Sequence, residues 1–339
     1  MDFKEVLKEK RDAVYNEIYT YLEPLEGPGN MREVVFEYPK RQGKALRPTL
    51  LLLACEAFGG DPKKAMKTAA AMQTSEDWIL IHDDWQDDSD ERRGKPTLHK
   101  MYGNEIAVNA GDYLHVIMHK MLRDNEKAIG ADKTFKIMDH MYHILEKTIE
   151  GQHLEITETN KRSPDFAEHI PYDIMYTKTC FYTIVGPMQL GALVAGADAR
   201  LVQEIHDAAR SLGIGFQIQD DLLNIGGSQE KYGKEIGGDI LEGKLTVLLW
   251  YLMQRATDEE KNKIRAIWKK PRLQKTEAEK DYVLGLMRKY DCVGYAAKLA
   301  KQQGMEARER FAKLLARYPK NAAHEKLLSG FDFVVNRDI

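Results

Sequence analysis

The sequence predicts an all-α protein, a single domain of ten or more helices spanning residues 1–339, and three observations predict it. Apolar residues recur at helical spacing along most of the chain. Convincing alternation of period two is absent. No low-complexity linker or shift of composition divides the sequence. At 43% hydrophobic and 30% charged, the chain can bury a substantial core and still present a polar surface.

The opening segment carries Phe3, Val6, Leu7, Val14, Ile18 and Leu22 at threes, fours and sevens, with charges between them, as an amphipathic helix does. Further helices are predicted over 44–58, 62–87, 104–124, 132–159, 172–195, 200–225, 243–256, 276–289, 293–317 and 321–336. Gly59-Gly60-Asp61-Pro62 reads as a stop followed by a start, with Asp61 as N-cap and Pro62 at the first helical position. Ser163-Pro164 and Tyr318-Pro319 punctuate in the same way. The run TVLLWYLM, Thr246–Met253, has a strand-like composition but helical flanks, and is read as a core helix. The longest polar, glycine-bearing connections are 88–103 and 226–242, and each directly follows an acidic cluster.

Several function classes are excluded early. A net charge of −3 argues against a general basic field for nucleic acid. The N-terminal MDFKEVLKEKRDAVYNEIYTYL lacks the apolar centre of a secretory signal. No apolar stretch approaches the ~18 residues that cross a bilayer. Cys55, Cys180 and Cys292 are far apart and fit no zinc or redox spacing, so they are expected to be idle thiols of a soluble cytoplasmic protein.

The acidic clusters carry the chemistry. In LIHDDWQDDSDERRGKPTLH, Leu80–His99, the acids Asp83, Asp84, Asp87, Asp88, Asp90 and Glu91 are followed at once by Arg92, Arg93 and Lys95. In GFQIQDDLLN, Gly215–Asn224, a second apolar run ends in Asp220-Asp221, and Lys231, Lys234 and Lys244 follow among glycines. Acids at a helix C-terminus oppose the macrodipole by about 0.3–1 kcal/mol each, so stability alone would put cations there. Asp83 and Asp87, at i and i+4, share one face and repel. A divalent cation removes that conflict, and carboxylates without thiolates suit Mg²⁺ or Mn²⁺. Mg²⁺ held by one or two carboxylates leaves positions that phosphate oxygens fill, while nearby Arg and Lys take the remaining oxygens. The constellation implies a diphosphate. No G-x-x-x-x-G-K-[ST] loop points to nucleotide phosphoryl transfer.

GKALRP (Gly43–Pro48), LIHDDWQDDSDERRGKPTLH, Lys178-Thr179, FQIQDDLLN and GDILEGKLT (Gly238–Thr246) resemble, in order, the signatures of the trans-isoprenyl diphosphate synthases. The resemblance covers nearly the whole chain from Gly43 onward. It implies the isoprenoid synthase fold, antiparallel helices around a central cavity, usually in a homodimer. The implied reaction joins isopentenyl diphosphate to an allylic diphosphate (dimethylallyl, geranyl or farnesyl) with two or three Mg²⁺ ions. By the same resemblance Asp83, Asp84 and Asp87 match the first metal-binding motif, and Asp220, Asp221 and Asn224 the second. Arg92 matches a contact to the allylic diphosphate, and Lys44, Arg47 and Arg93 the isopentenyl diphosphate pocket. Lys178, Lys234 and Lys244 match cations over the leaving group; Thr179 and Gln217 match polar residues beside the reacting carbons.

Two positions depart from the family pattern. Asn224 stands where many members have Asp, which loses one charge. Glu76 stands where the family usually has His or Gln against isopentenyl diphosphate. Seven residues on a helix bring Glu76 within about 20° of the direction of Asp83. A carboxylate there would repel a diphosphate unless Lys44, Arg47 or Arg93 neutralises it, and such a pairing is expected. Bulk just upstream of the first motif sets product length in the family. Trp78 is thus either the floor of the cavity or a packing residue between helices, while Ser75 and Ile79 leave depth beside it. A C15 or C20 product follows, with C20 preferred. The rival readings are a class I terpene cyclase, a non-catalytic subunit of a heteromeric synthase and a diphosphate hydrolase. A cyclase would carry Ser or Thr at Asn224 and Glu at Ser228; a lapsed subunit would have lost metal ligands; a hydrolase leaves the ordered cationic motifs unexplained.

Overall fold

The protein is seen in a computed structural model that describes residues 2–226 and 236–335. In chain order its helices are α1 (Phe3–Leu22), α2 (Met31–Arg41), α3 (Leu46–Ala57), α4 (Met66–Gln86), α5 (Leu98–Tyr102), α6 (Asn104–Arg123), α7 (Glu126–Ile129), α8 (Ala131–Asn160) and α9 (His169–Ile174). A π-helix over Met175–Val185 leads into α10 (Gly186–Ala195). Then follow α11 (Ala199–Gly226), α12 (Gly238–Glu242), α13 (Val247–Arg255), α14 (Asp258–Trp268), α15 (Glu277–Lys289), α16 (Cys292–Leu315) and α17 (Ala322–Val335). The one ladder among the described residues pairs β1 (Glu91–Arg92) with β2 (Lys95–Pro96). None of the described helices is long and apolar enough to cross a membrane.

The chain packs as two compact units. The first comprises Met1–Ile144, Thr183–Ala208 and Arg310–Gly330; the second comprises Leu145–Tyr182, Ala209–Glu309 and Phe331–Ile339. In the first unit, α3 is buried on every side because LRPTLLLLACEA is apolar nearly all round, with Leu50–Ala54 at most 1% exposed. Burying each such leucine contributes roughly 1.5–3 kcal/mol. α4 begins with a run of small residues, Ala69–Ala71, that lets α1, α3 and α6 approach it closely, and its C-terminal turn carries the first acidic cluster. In the second unit Ile218 and Leu222 of α11 pack with Leu248, Leu252, Ile264 and Val283. α14 and α15 each start at a reciprocal cap, Thr257 with Glu260 and Thr276 with Glu279, which satisfies their first N–H groups.

The structure corrects the expected elements at several points. Asp61 caps a turn, accepting from Lys63 N at 3.0 Å, and the regular helix begins only at Met66. The connection 88–103 is not all loop, since it holds the hairpin and α5; α12 lies within 226–242. The helix expected over 172–195 is interrupted by the π-helix. α2 and α14 were not predicted; Pro39, which cannot donate to the helical ladder, lies two residues before the end of α2.

Candidate active site

In the first unit the hairpin decides where the cations go. Arg93 and Gly94 both have positive φ, 53° and 71°, the two-residue turn whose twist matches antiparallel strands. Glycine takes that conformation freely, whereas Arg93 takes it at a cost and needs tertiary partners. Thr97 fastens the hairpin back to the acidic helix end, its Oγ1 donating to Ser89 O at 2.8 Å and its N–H to Asp90 O at 3.0 Å. Arg92 and Arg93, adjacent in sequence, then reach different carboxylates.

Arg92 grips Asp84. Its Nε lies 3.0 and 2.9 Å from the two carboxylate oxygens, and its Nη2 also contacts Oδ1. Tyr38 Oη donates to Asp84 Oδ2 at 2.7 Å, and Asp84 is 1% exposed. Asp84 is therefore a buried tether for Arg92, a task its place in an acidic run does not disclose. Asp83 and Asp87 are half-buried, and Asp87 N–H closes the last helical turn on Asp83 O at 2.9 Å.

Two turns earlier on α4, Glu76 and Asp77 each meet a guanidinium. Glu76 Oε2 lies 2.9 Å from Arg47 Nη1, and Glu76 Oε1 lies 3.5 Å from Arg93 Nη2. The expected neutralisation of Glu76 is present. Burial pushes its carboxyl up, but Arg47 and Arg93, with a 3.1 Å hydrogen bond from Gln73 Nε2, outweigh that and hold it below its ordinary value. Arg93 Nη1 also donates to Asp77 Oδ1 at 2.9 Å and to Tyr38 O at 3.0 Å. Asp77 is wholly buried, its Oδ2 has no hydrogen-bond partner, and burial raises its carboxyl to about 7 against the pull of Arg93. Arg47 Nη2 donates to Thr183 Oγ1 at 2.8 Å. Lys44 is exposed in the turn between α2 and α3. Asp77, Gln73 and Thr183 are members of this cluster that sequence reasoning missed; nothing local marks Asp77 as interior until packing buries it.

On α4, Ser75 is fully buried and its Oγ bonds within the helix to Met72 O at 2.7 Å. Trp78 is 8% exposed and packs between His82 and His115, with ring centroids 5.6 and 4.8 Å away. Ile79 is half-buried.

In the second unit Lys178 and Thr179 lie on the π-helix, a geometry often found at functional positions because it redirects side chains within one turn. Lys178 Nζ is paired with Glu155. A Cβ on Gly151 would come within 2.3 Å of Lys178 N, so α8 can approach the π-helix this closely only with glycine there. On α11, Gln217 Nε2 donates to Asp221 Oδ1 at 2.8 Å. Asp221 is buried; burial, then the charge of Asp239, push its carboxyl well above the usual range, with Asp220 adding to the effect. Asp220 is half-buried.

Asn224 is buried and its Oδ1 accepts from Asp239 N–H at 3.2 Å, while its backbone oxygen accepts from Gly237 N–H at 2.8 Å. It thus clips α12 to α11 through its carbonyl oxygen, a bond that a carboxylate could also accept. Lys244 Nζ lies 2.7 Å from Glu242 and 3.7 Å from Asp239. Lys231 and Lys234 fall outside the described residues.

The donor set suits a hard divalent cation. Among the described residues no three His, Cys, Asp or Glu side chains close into a metal cage. Mg²⁺ does not require one, because it commonly takes one or two carboxylates and completes its shell with water and phosphate. Asp83 with Asp87, and Asp220 with Asp221, supply carboxylates of that kind, and the crowding of acid around Asp221 is relieved by bound positive charge.

Solved structures of known proteins share this fold. Geranylgeranyl pyrophosphate synthetase from Pyrococcus horikoshii Ot3 matches with a TM-score of 0.86 and 28% identity, over 99% of this chain and 98% of its own. Polyprenyl synthase from Caulobacter crescentus CB15, solved with calcium and isoprenyl diphosphate, matches with a TM-score of 0.86 and 25% identity over 98% of both chains. In sequence, a short chain isoprenyl diphosphate synthase of Methanothermobacter thermautotrophicus is 31% identical over 297 residues, 87% of each chain. Residues 29–287 match the polyprenyl synthetase family as a whole, and the chain belongs to that family of prenyltransferases.

Proposed function

We propose that the chain condenses isopentenyl diphosphate with an allylic diphosphate (dimethylallyl, geranyl or farnesyl) in a Mg²⁺-dependent reaction, giving an all-trans C15–C20 prenyl diphosphate, with C20 preferred. One observation carries the reading. Two differently built sites line α4 seven residues, or about 10 Å, apart: the arginines of α3 and the hairpin paired to Glu76 and Asp77, and the carboxylates Asp83 and Asp87, which hold an anion through a metal ion. Two such sites suit two diphosphate substrates, which neither a cyclase nor a hydrolase needs.

Mg²⁺ held at Asp83 with Asp87, and at Asp220 with Asp221, would supply the charge that stabilises a departing diphosphate. Arg92, fixed by Asp84, and Lys178, Lys234 and Lys244 take oxygens of that leaving group. Thr179 and Gln217 stand beside the reacting carbons. Lys44, Arg47 and Arg93 seat isopentenyl diphosphate. The allylic C–O bond breaks, the acceptor's double bond forms the new C–C bond, and the acceptor loses a proton. Exclusion of water would protect the allylic cation. Trp78 limits the growing chain, with Ser75 and Ile79 giving it room. The enzyme works in the cytoplasm, as a homodimer whose second copy covers Ile106, Val116 and Phe135, apolar side chains 44–62% exposed on α6 and α8.

Purified protein incubated with Mg²⁺, isopentenyl diphosphate and each allylic primer should release chain-extended diphosphates, geranylgeranyl diphosphate foremost. Cyclic hydrocarbons, free phosphate or unchanged substrates would overturn the proposal.

A further inference from the structure

His115 and His119 lie one turn apart on α6 in the first unit, both half-buried. Their Nε2 atoms are 3.1 Å apart and their ring centroids 4.7 Å apart, with planes at 46°. The nitrogens are closer than the rings, so the imidazoles converge through their Nε2 edges. We propose that His115 and His119 form a chelating site for a borderline-soft divalent cation of the Zn²⁺, Ni²⁺ or Cu²⁺ class, separate from the carboxylate sites. Metal–nitrogen bonds of about 2.0–2.1 Å spanning this gap meet at roughly 100°, within what tetrahedral and square-planar ions accept.

The surroundings favour the metal-ready form. Tyr142 Oη lies 3.3 Å from His119 Nδ1, and with Nδ1 donating to it the Nε2 lone pair is left for the ion. Burial lowers the pKa of both rings, helped at His115 by the neighbouring His119, so both are neutral at neutral pH and offer lone pairs. Asp112, exposed one turn before His115, counters the shift at His115 and stands at the rim as a carboxylate. His82, the other imidazole on this face, has its Nε2 3.1 Å from Val108 O. Two nitrogen ligands leave the remaining positions to water and select against Mg²⁺, which prefers oxygen. The indole of Trp78, 4.8 Å from the His115 ring, is a built-in reporter.

The test titrates Ni²⁺ into the tag-free full chain in excess Mg²⁺, followed by calorimetry and tryptophan fluorescence. The expected result is one site per chain that Mg²⁺ does not displace, with partial quenching of fluorescence. Affinity should fall roughly tenfold or more in His119→Gln and the site should vanish in His115→Ala/His119→Ala, while His140→Ala binds normally. Melting curves without metal establish that each variant is folded, and His119→Gln alone suffices if the double variant is not. Absence of saturable binding, or equal binding in wild type and His119→Gln, would overturn the proposal and leave the pair sharing a proton only.

Discussion

A carboxylate between two guanidiniums both removes charge from a pocket and holds it together. Glu76 does this with Arg47 and Arg93, and all three side chains are less than one-fifth exposed. Glu76→Gln frees positive charge toward an incoming diphosphate, so KM for isopentenyl diphosphate should stay level or fall, at about 1–3 kcal/mol of stability. A collapse in acceptor binding would give the carboxylate a direct part in holding substrate. Asp77 makes a pH prediction. Its folded pKa is raised from the ordinary 3.8 to about 7. Its contribution to stability is therefore fully present below pH 3.8 and is lost as pH rises toward 7. Asp77→Asn should flatten melting temperature against pH across that window; an unchanged slope contradicts a buried, proton-holding Asp77. Trp78→Ala should lengthen the product beyond C20, and an unaltered product spectrum would make Trp78 a packing residue. The Glu76 pairing was legible because opposite charges and helical phase appear in the sequence. The burial of Asp77 was not, because nothing local marks a charged residue next to Glu76 as interior.

At the level of elements, the turn bearing Asp239 and Lys244 is held from the segment between α14 and α15. Lys275 Nζ donates to Ile240 O at 2.9 Å and Leu241 O at 2.8 Å, Trp268 Nε1 donates to Gly243 O at 3.1 Å, and Arg272 Nη1 lies 3.2 Å from Glu242. Burial lowers the Lys275 ammonium to about 8, so the clamp works as a cation on the C-terminal carbonyls of α12. Lys275→Met should reduce kcat/KM for the allylic substrate about tenfold, or ~1.4 kcal/mol, with acceptor KM unmoved; equal losses for both substrates would argue against this positioning role. The long helices α4, α6, α8 and α11 were legible from period alone, to within a few residues at each end. α14 was missed although Thr257-x-x-Glu260 announces its start, because its short apolar face is broken by charge. The π-helix carries no period of its own, and it lies where α8 passes close at Gly151.

For the whole molecule, the all-helical class followed from the absence of period-two alternation, and the structure departs from it only in a two-residue ladder among the described residues. Surface chemistry adds one expectation. Ile106 and Val116 on α6 and Phe135 on α8 are apolar and exposed. Light scattering should give twice the chain mass, and Val116→Asp with Phe135→Asp should give the monomer; a dimer unaffected by both would place the interface elsewhere.

The proposed reaction requires that carboxylates of α4 and of α11 serve one pyrophosphate through magnesium. A crystal structure with Mg²⁺ and an unreactive thio-analogue of an allylic diphosphate measures this most directly. Oxygens of Asp83, Asp87 and Asp220 should lie about 2.0–2.1 Å from Mg²⁺ ions bound to that single ligand. A ligand coordinated from one acidic cluster alone, with the other facing bulk water, would contradict the account.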